Sequence, residues 1–219
     1  MTLIPRCCCL SARPDSNHLL VARLAGLLLL CISSGIRVEG AEIPTRDLEA
    51  MRALAFRLMW LEDYERSIEV YREIVRQTPN DPKSHYDLAG TLSFLRLYEE
   101  AVEPAETAIR LDPDNVRTQE MAAMIFLNLR RYEKAFAATL KCAELGEATA
   151  MYTLVNLYEK GLGVTADQDQ AVYWAERAAE QGHLGAMAIM EEAYRTGRLG
   201  RPIDPRLADK WAKRLRNTE

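Results

Sequence analysis

Cysteine is almost missing from the part of the chain that could fold. Of five cysteines, Cys7, Cys8, Cys9 and Cys31 lie in the first 31 residues, and only Cys142 lies beyond them. One cysteine builds neither an internal disulfide nor a Cys/His metal site. It occupies a position suited to a small buried residue and reads as packed and inert. Histidine is equally sparse: His18 falls in the leader, His85 opens a helix and His183 sits at a repeat junction, which is no ligand set. There is no nucleotide-binding glycine loop, no nucleophile elbow and no metal-ligand spacing, so no cofactor and no enzymatic activity are expected. Net positive charge is lacking too. The formal charge of −4 argues against a general nucleic-acid binder, which needs a basic face for phosphates. The basic residues that do cluster, Arg206, Lys210, Lys213, Arg214 and Arg216, read as the solvated face of the last helix.

Long apolar runs are also lacking. The longest, Leu24–Ile32, falls well short of the ~20 residues of a transmembrane helix, and extending it back to Leu19 would include Arg23. Arg6, Arg13 and Arg23 precede it, with Asp15 the one acid, and the small residues Ser33, Ser34 and Gly35 follow. Positive, apolar and small, in that order, is the pattern of a secretory signal, with cleavage points after Gly35 or Gly40. Residues 1–40 are therefore expected to export the chain to the periplasm or beyond. Arg37, just past the apolar run, disfavours clean export and leaves an alternative, an uncleaved leader that anchors the chain to the membrane. Leu30 precedes Cys31 where a lipoprotein motif wants a small residue, which argues against lipidation.

From about Thr45 the chain reads as helices with short breaks, and it repeats. Tyr64, Tyr98 and Tyr132 are 34 apart, as are Pro79 and Pro113. Frames of that length run over 48–81, 82–115 and 116–149. Small residues recur where two helices would approach closely: Ala55, Ala89 and Ala123 in the first helix, Ser67, Ala101 and Ala135 at the start of the second. Facing the first set are Ile74, Ala108 and Cys142. Proline ends the second helix of two frames; the third has Glu147 there and stops on Gly146. Pro104 lies inside a second helix and should kink or distort it.

A second period follows. Ala150 and Ala186, Leu154 and Met190, Tyr158 and Tyr194, and Gly161 and Gly197 are 36 apart, while Ala171 and Ala208, and Trp174 and Trp211, are 37 apart. The extra residue falls in the loop between helices. Gly161 and Gly197 can end a helix in the left-handed conformation. Asp167 or Asp169, and Asp204 followed by Pro205, can start the next. Trp174 and Trp211 are expected to pack between repeats.

The first set of frames resembles the tetratricopeptide family, whose repeat has this length. The phrase from Leu157 to Val164, with Asp169, Ala171, Trp174 and Ala178 to His183, resembles the Sel1-like repeat, and Tyr194, Gly197, Asp204, Ala208 and Trp211 form a degenerate second copy. The resemblance implies an all-α fold, a right-handed α-α superhelical solenoid of about five helical hairpins. It implies three tetratricopeptide-like repeats over 45–147 and two Sel1-like repeats over 148–216. Some secreted Sel1-like proteins are associated with penicillin binding or hydrolysis; those carry a cysteine pair in each repeat, and this chain has none.

The resemblance also implies a concave groove lined by the first helix of each hairpin. The family's groove positions fall on Arg52, Phe56, Met59 and Trp60, then on Lys83, Tyr86, Gly90 and Phe94, then on Arg117, Glu120, Met124 and Leu127. This is an apolar trough with basic residues at its rim, suited to a protein or peptide partner. Phe56 and Gly90 stand where the family's clamp for chaperone C-termini has asparagine, which argues against that ligand. The expected function is that of an exported adaptor or scaffold binding a protein partner; the alternative is a membrane-anchored accessory subunit of an envelope assembly.

Overall fold

Helix starts follow the capping chemistry of the sequence. A computed structural model describes residues 47–217, so the leader reading for 1–40 lies outside the described residues. These hold ten α-helices, one 3-10 turn and no strand. They pair as α1 (Leu48–Trp60) with α2 (Tyr64–Gln77), α3 (Pro82–Phe94) with α4 (Tyr98–Leu111), and α5 (Val116–Asn128) with α6 (Tyr132–Glu144). Then come α7 (Ala148–Lys160) with α8 (Gln168–Glu180), and α9 (Leu184–Thr196) with α10 (Pro205–Arg216). Each helix packs on its hairpin partner, and the second helix of each of the first four hairpins packs on the first helix of the next, the arrangement of a five-hairpin solenoid.

Side-chain caps start the first helix of most hairpins. Asp47 accepts from the amides of Glu49 and Ala50, Asp81 from Lys83 and Ser84, Asn115 from Thr118, and His183 Nδ1 from Ala186. Among the second helices, Asp167 caps α8 and Asp204 caps α10, with Pro205 at its first position. Asp169, the other candidate, instead pairs with Arg201.

The first helices end in one recurring turn. Glu62, Arg96 and Arg130 have φ of 59°, 60° and 55°, and the next amide reaches back five residues in each case: Asp63 to Leu58, Leu97 to Leu92, Arg131 to Phe126, all at 2.9 Å. This is the Schellman arrangement built without glycine. At Gly146, Gly161 and Gly182 the same turn does use glycine, with φ of 103°, 65° and 93°. The long loops of the last two hairpins close alike: the Asp167 amide donates to the Tyr158 carbonyl at 3.0 Å, and Asp204 to Tyr194 at 2.8 Å.

The expected close-contact residues are buried. Ala55, Ala89, Ser67, Ala101, Ala135, Ile74 and Ala108 are fully covered. Ser67 Oγ donates to the Ala55 carbonyl at 2.9 Å, so its hydroxyl is satisfied in the core. Trp174 and Trp211 are buried as expected, and each carries an arginine over its ring, Arg177 at 5.1 Å and Arg214 at 4.8 Å. His85 and Gln119, 34 apart, make equivalent bonds to the carbonyls of Pro79 and Pro113, which ties each proline turn to the next hairpin.

Pro104 does not break its helix: α4 continues from Tyr98 to Leu111 through it. The Glu100 carbonyl loses its usual donor there. The proline ring is buried beside a cleft of about 480 Å3 between α2, α3 and α4, and that burial offsets part of the loss.

Candidate protein-binding face

The first helices α1, α3, α5, α7 and α9 are each 13 residues long, so positions along them correspond. Their starts are separated by 34, 34, 32 and 36 residues, read from Leu48, Pro82, Val116, Ala148 and Leu184. The short interval arises because α6 has 13 residues where α2 and α4 have 14, and because its link to the next helix is also one residue shorter.

Ninth positions are Phe56, Gly90, Met124, Asn156 and Glu192, and last positions are Trp60, Phe94, Asn128, Lys160 and Thr196. The apolar members stand out into solvent. Phe56 is 61% exposed, Trp60 76%, Phe94 72% and Met124 43%, a degree of exposure that core side chains do not show. Phe56 and Trp60 meet edge to face at 6.3 Å. At Gly90 of α3 a Cβ would meet only the Met121 sulfur of α5, at 3.7 Å. Met59, Tyr86 and Leu127 are half-buried, so they serve both core and surface. Lys83 and Arg117 are exposed, with Lys83 4.0 Å from Asp87.

Arg52 departs from the groove reading. Its guanidinium is held by Asp81 at 2.8 Å, Asp87 at 3.3 Å and Glu49 at 3.1 Å, and it donates to Ser84 Oγ at 3.0 Å. Its side chain is only 14% exposed. Burial pushes the Asp87 carboxyl up despite Lys83 and Arg52. Burial would raise Asp81 too, but Ser84, the Lys83 amide and Arg52 bring it below its ordinary value. Arg52 is a clasp between the first two hairpins, not a free rim residue, because α3 supplies acids at both its cap and its sixth position.

That contact recurs. Arg52 is the fifth residue of α1 and touches the cap of α3. Tyr152 is the fifth residue of α7 and stacks on His183, the cap of α9, with ring centroids 4.6 Å apart. A Cβ at the neighbouring Gly185 would lie 3.0 Å from the Tyr152 ring, tighter than an ordinary van der Waals contact.

Between α5 and α7 the face opens into a pocket of about 220 Å3. Met124, Leu127, Ala150 and Cys142 contribute apolar walls, and Glu120, Thr149 and Thr153 contribute polar ones. The Cys142 thiol is pushed up to about 12, first by burial and then by the charges of Glu120 and Glu147. It is buried, as its position implied. This pocket was not legible as a motif. Its signal is the shortened interval before Ala148 and the threonines that follow.

The last two hairpins use their charged residues internally. Arg198 grips Glu159 with both arms, at 3.0 and 2.8 Å, and Glu192 at 2.6 Å. Arg195 pairs with Glu191 at 2.9 Å.

A tetratricopeptide-repeat model matches residues 82–115, and a Sel1-repeat model matches 143–183. No curated protein matches the chain. Solved structures of similar fold include a Sel1 repeat protein from Oxalobacter formigenes, 23% identical over 79% of this chain and 74% of that one, with a TM-score of 0.55. MamA is similar at 18% identity over 78% and 91%, with a TM-score of 0.62. YrrB, described as a TPR protein with an unusual peptide-binding site, is similar at 17% over 80% and 88%, with a TM-score of 0.58. At these identities the likeness concerns the fold. Repeat solenoids of this kind are typically interaction scaffolds rather than enzymes, and the chain is a repeat protein that joins tetratricopeptide and Sel1-like repeats in one α-helical solenoid.

Proposed function

We propose that the chain is an exported cell-envelope adaptor whose first three hairpins hold a protein or peptide segment along the face of α1, α3 and α5. The observation that carries this is the row of exposed Phe56, Trp60, Phe94 and Met124 at corresponding helix positions. Aromatic and methionine side chains left in water on a rigid scaffold are the residue types that anchor partners. The peptide-binding site described for YrrB supports a peptide ligand here. In this reading residues 45–147 form the tetratricopeptide-like, partner-holding part, and 148–216 form a Sel1-like platform.

Export rests on the order of charge, apolar run and small residues in 1–40. Determining the N-terminus of the protein recovered from cells tests it, and a start at Met1 sinks export with cleavage. Arg37 favours a second reading, retention by an uncleaved leader as a membrane-attached accessory subunit. Recovery of the full-length chain in the membrane fraction after a carbonate wash supports that reading.

Groove binding is tested by selecting a random 12-residue peptide display library on the native protein and on a Trp60→Ala/Phe94→Ala double variant. Selected peptides should lose at least ~10-fold in affinity on the variant, about 1.4 kcal/mol, while helicity by circular dichroism is unchanged. Equal binding to both proteins refutes the groove.

A further inference from the structure

At the seam between α5 and α7 a recurring contact lacks its partner. In the first and last seams the fifth residue of a first helix lies against the cap of the next one. In the first seam this pairs Arg52 with Asp81, and in the last it stacks Tyr152 on His183. In the third seam the corresponding residues are Glu120 and Glu147. The sixth position, where α3 has Asp87 clasping Arg52 and α5 has Met121, is Thr153 in α7. The register that joins cation to anion in the first seam thus sets two carboxylates at this one. Neither Glu120 nor Glu147 pairs with a base among the described residues, and both raise the Cys142 thiol on the pocket wall. Beside Glu120 lies the pocket of about 220 Å3 walled by Met124, Leu127 and Cys142.

We propose that this pocket receives one basic side chain, arginine or lysine, of the segment held in the groove. This rests on the proposed groove, of which Met124 is part, and it gives the partner a chemistry. The apolar walls take the aliphatic stem, and Glu120, with Glu147 near it, takes the charged head. The volume suits a single side chain, since small-molecule sites usually occupy about 300–1,000 Å3. Two carboxylates without basic partners disfavour an acidic segment here.

The test uses the full chain with 13C-labelled methionine methyl groups, titrated with N-acetyl-arginine methylamide. The norleucine and glutamate analogues serve as controls. The Met124 methyl resonance should move and saturate with the arginine compound at low salt, and should stay in place with the glutamate compound. Glu120→Gln should weaken the arginine response by about fivefold. Thr153→Arg, which supplies a cation from α7 itself, should abolish it while keeping the fold. Equal responses to the arginine and norleucine compounds, or an arginine response unchanged by Glu120→Gln, would overturn the proposal. So would no response at all. The Trp60→Ala/Phe94→Ala variant should still answer the fragment. Loss of peptide binding is read on the display library and loss of the pocket on the fragment, so the two readings fail separately.

Discussion

Replacing Gly163 with alanine should damage the chain far more than the same change at other left-handed glycines. Gly163 has φ of +74°, and a Cβ there would fall 2.1 Å from the Tyr132 carbonyl oxygen, 2.3 Å from its carbon and 2.7 Å from the Glu133 nitrogen. All three are backbone atoms at the start of α6, so no rotamer change relieves the overlap. The loop must lift by more than an ångström. Lifting it strains the hydrogen bonds that the Leu162 and Asp167 amides donate to the Leu157 and Tyr158 carbonyls, each worth about 1 kcal/mol net. The left-handed backbone costs alanine about 1 kcal/mol more. The total is about 3 kcal/mol, which for a domain of this size lowers Tm by about 6–12 °C. Gly146 and Gly182, with φ of 103° and 93° and no atom within 4 Å of a Cβ, should lose only the conformational share, about 1 kcal/mol. Urea midpoints of the three alanine variants, followed by far-UV circular dichroism, give the comparison. Amide exchange should show the damage in α6 to α8 first, because repeats couple mainly to their neighbours. If Gly163→Ala lies within about 0.5 kcal/mol of Gly182→Ala, typical of an innocuous substitution, the backbone-contact argument is wrong.

Three further outcomes follow from the same geometry. Arg96→Gly should raise the urea midpoint by roughly 0.5 kcal/mol worth of stability, since an arginine at φ of 60° carries strain that glycine does not. Arg198→Ala should cost about 1 kcal/mol near pH 7, because a partly exposed bidentate pair is lost. That cost is pH-dependent. The Arg198 hydrogen bonds and charge hold the Glu159 carboxyl below its ordinary 4.5, so the pair stabilises fully above that value. Its contribution fades as pH falls through the depressed folded value, and the gap between wild type and Arg198→Ala in urea midpoints should close on acidification. With the four leader cysteines replaced by serine, Cys142 should resist a disulfide reagent such as DTNB at pH 8 in the native state and react once urea unfolds the chain, because burial holds its thiol up near 12.

Much of the fold was legible because helix packing leaves size signatures. Ala55, Ala89, Ser67 and Ala101 could be placed from their spacing, and all are fully buried. Gly161 and Gly197 could be read as left-handed ends, and both have positive φ. What spacing missed depends on contacts across repeats. Nothing local says that Arg52 will meet two acids 29 and 35 residues further on, so a groove position was assigned to a clasp. Gly163 lay unremarked within the Sel1 phrase, because its constraint comes from the backbone of another helix. Glu62, Arg96 and Arg130 hold left-handed turns without glycine, where residue type gives no warning. α4 continues through Pro104 because tertiary burial outweighs a local propensity.

The division between the two parts of the solenoid is also a division of side-chain use along one face. At the ninth position the series runs Phe56, Gly90, Met124, Asn156, Glu192, and at the last position Trp60, Phe94, Asn128, Lys160, Thr196. At these two positions apolar side chains stay exposed through the third hairpin and then stop. Beyond it Glu192 and Glu159 are engaged by Arg198, and Tyr152 by His183. At these positions the fourth and fifth hairpins have no apolar anchor, whereas the first two carry exposed aromatic rings and the third the exposed Met124. Partner binding through the proposed groove should accordingly tolerate Asn156→Ala and Lys160→Ala with less than a twofold change, while Phe94→Ala alone costs about 1 kcal/mol or more. A larger effect at Asn156 than at Phe94, measured on one selected peptide by titration calorimetry, would move the binding surface into the Sel1-like part and refute the assignment.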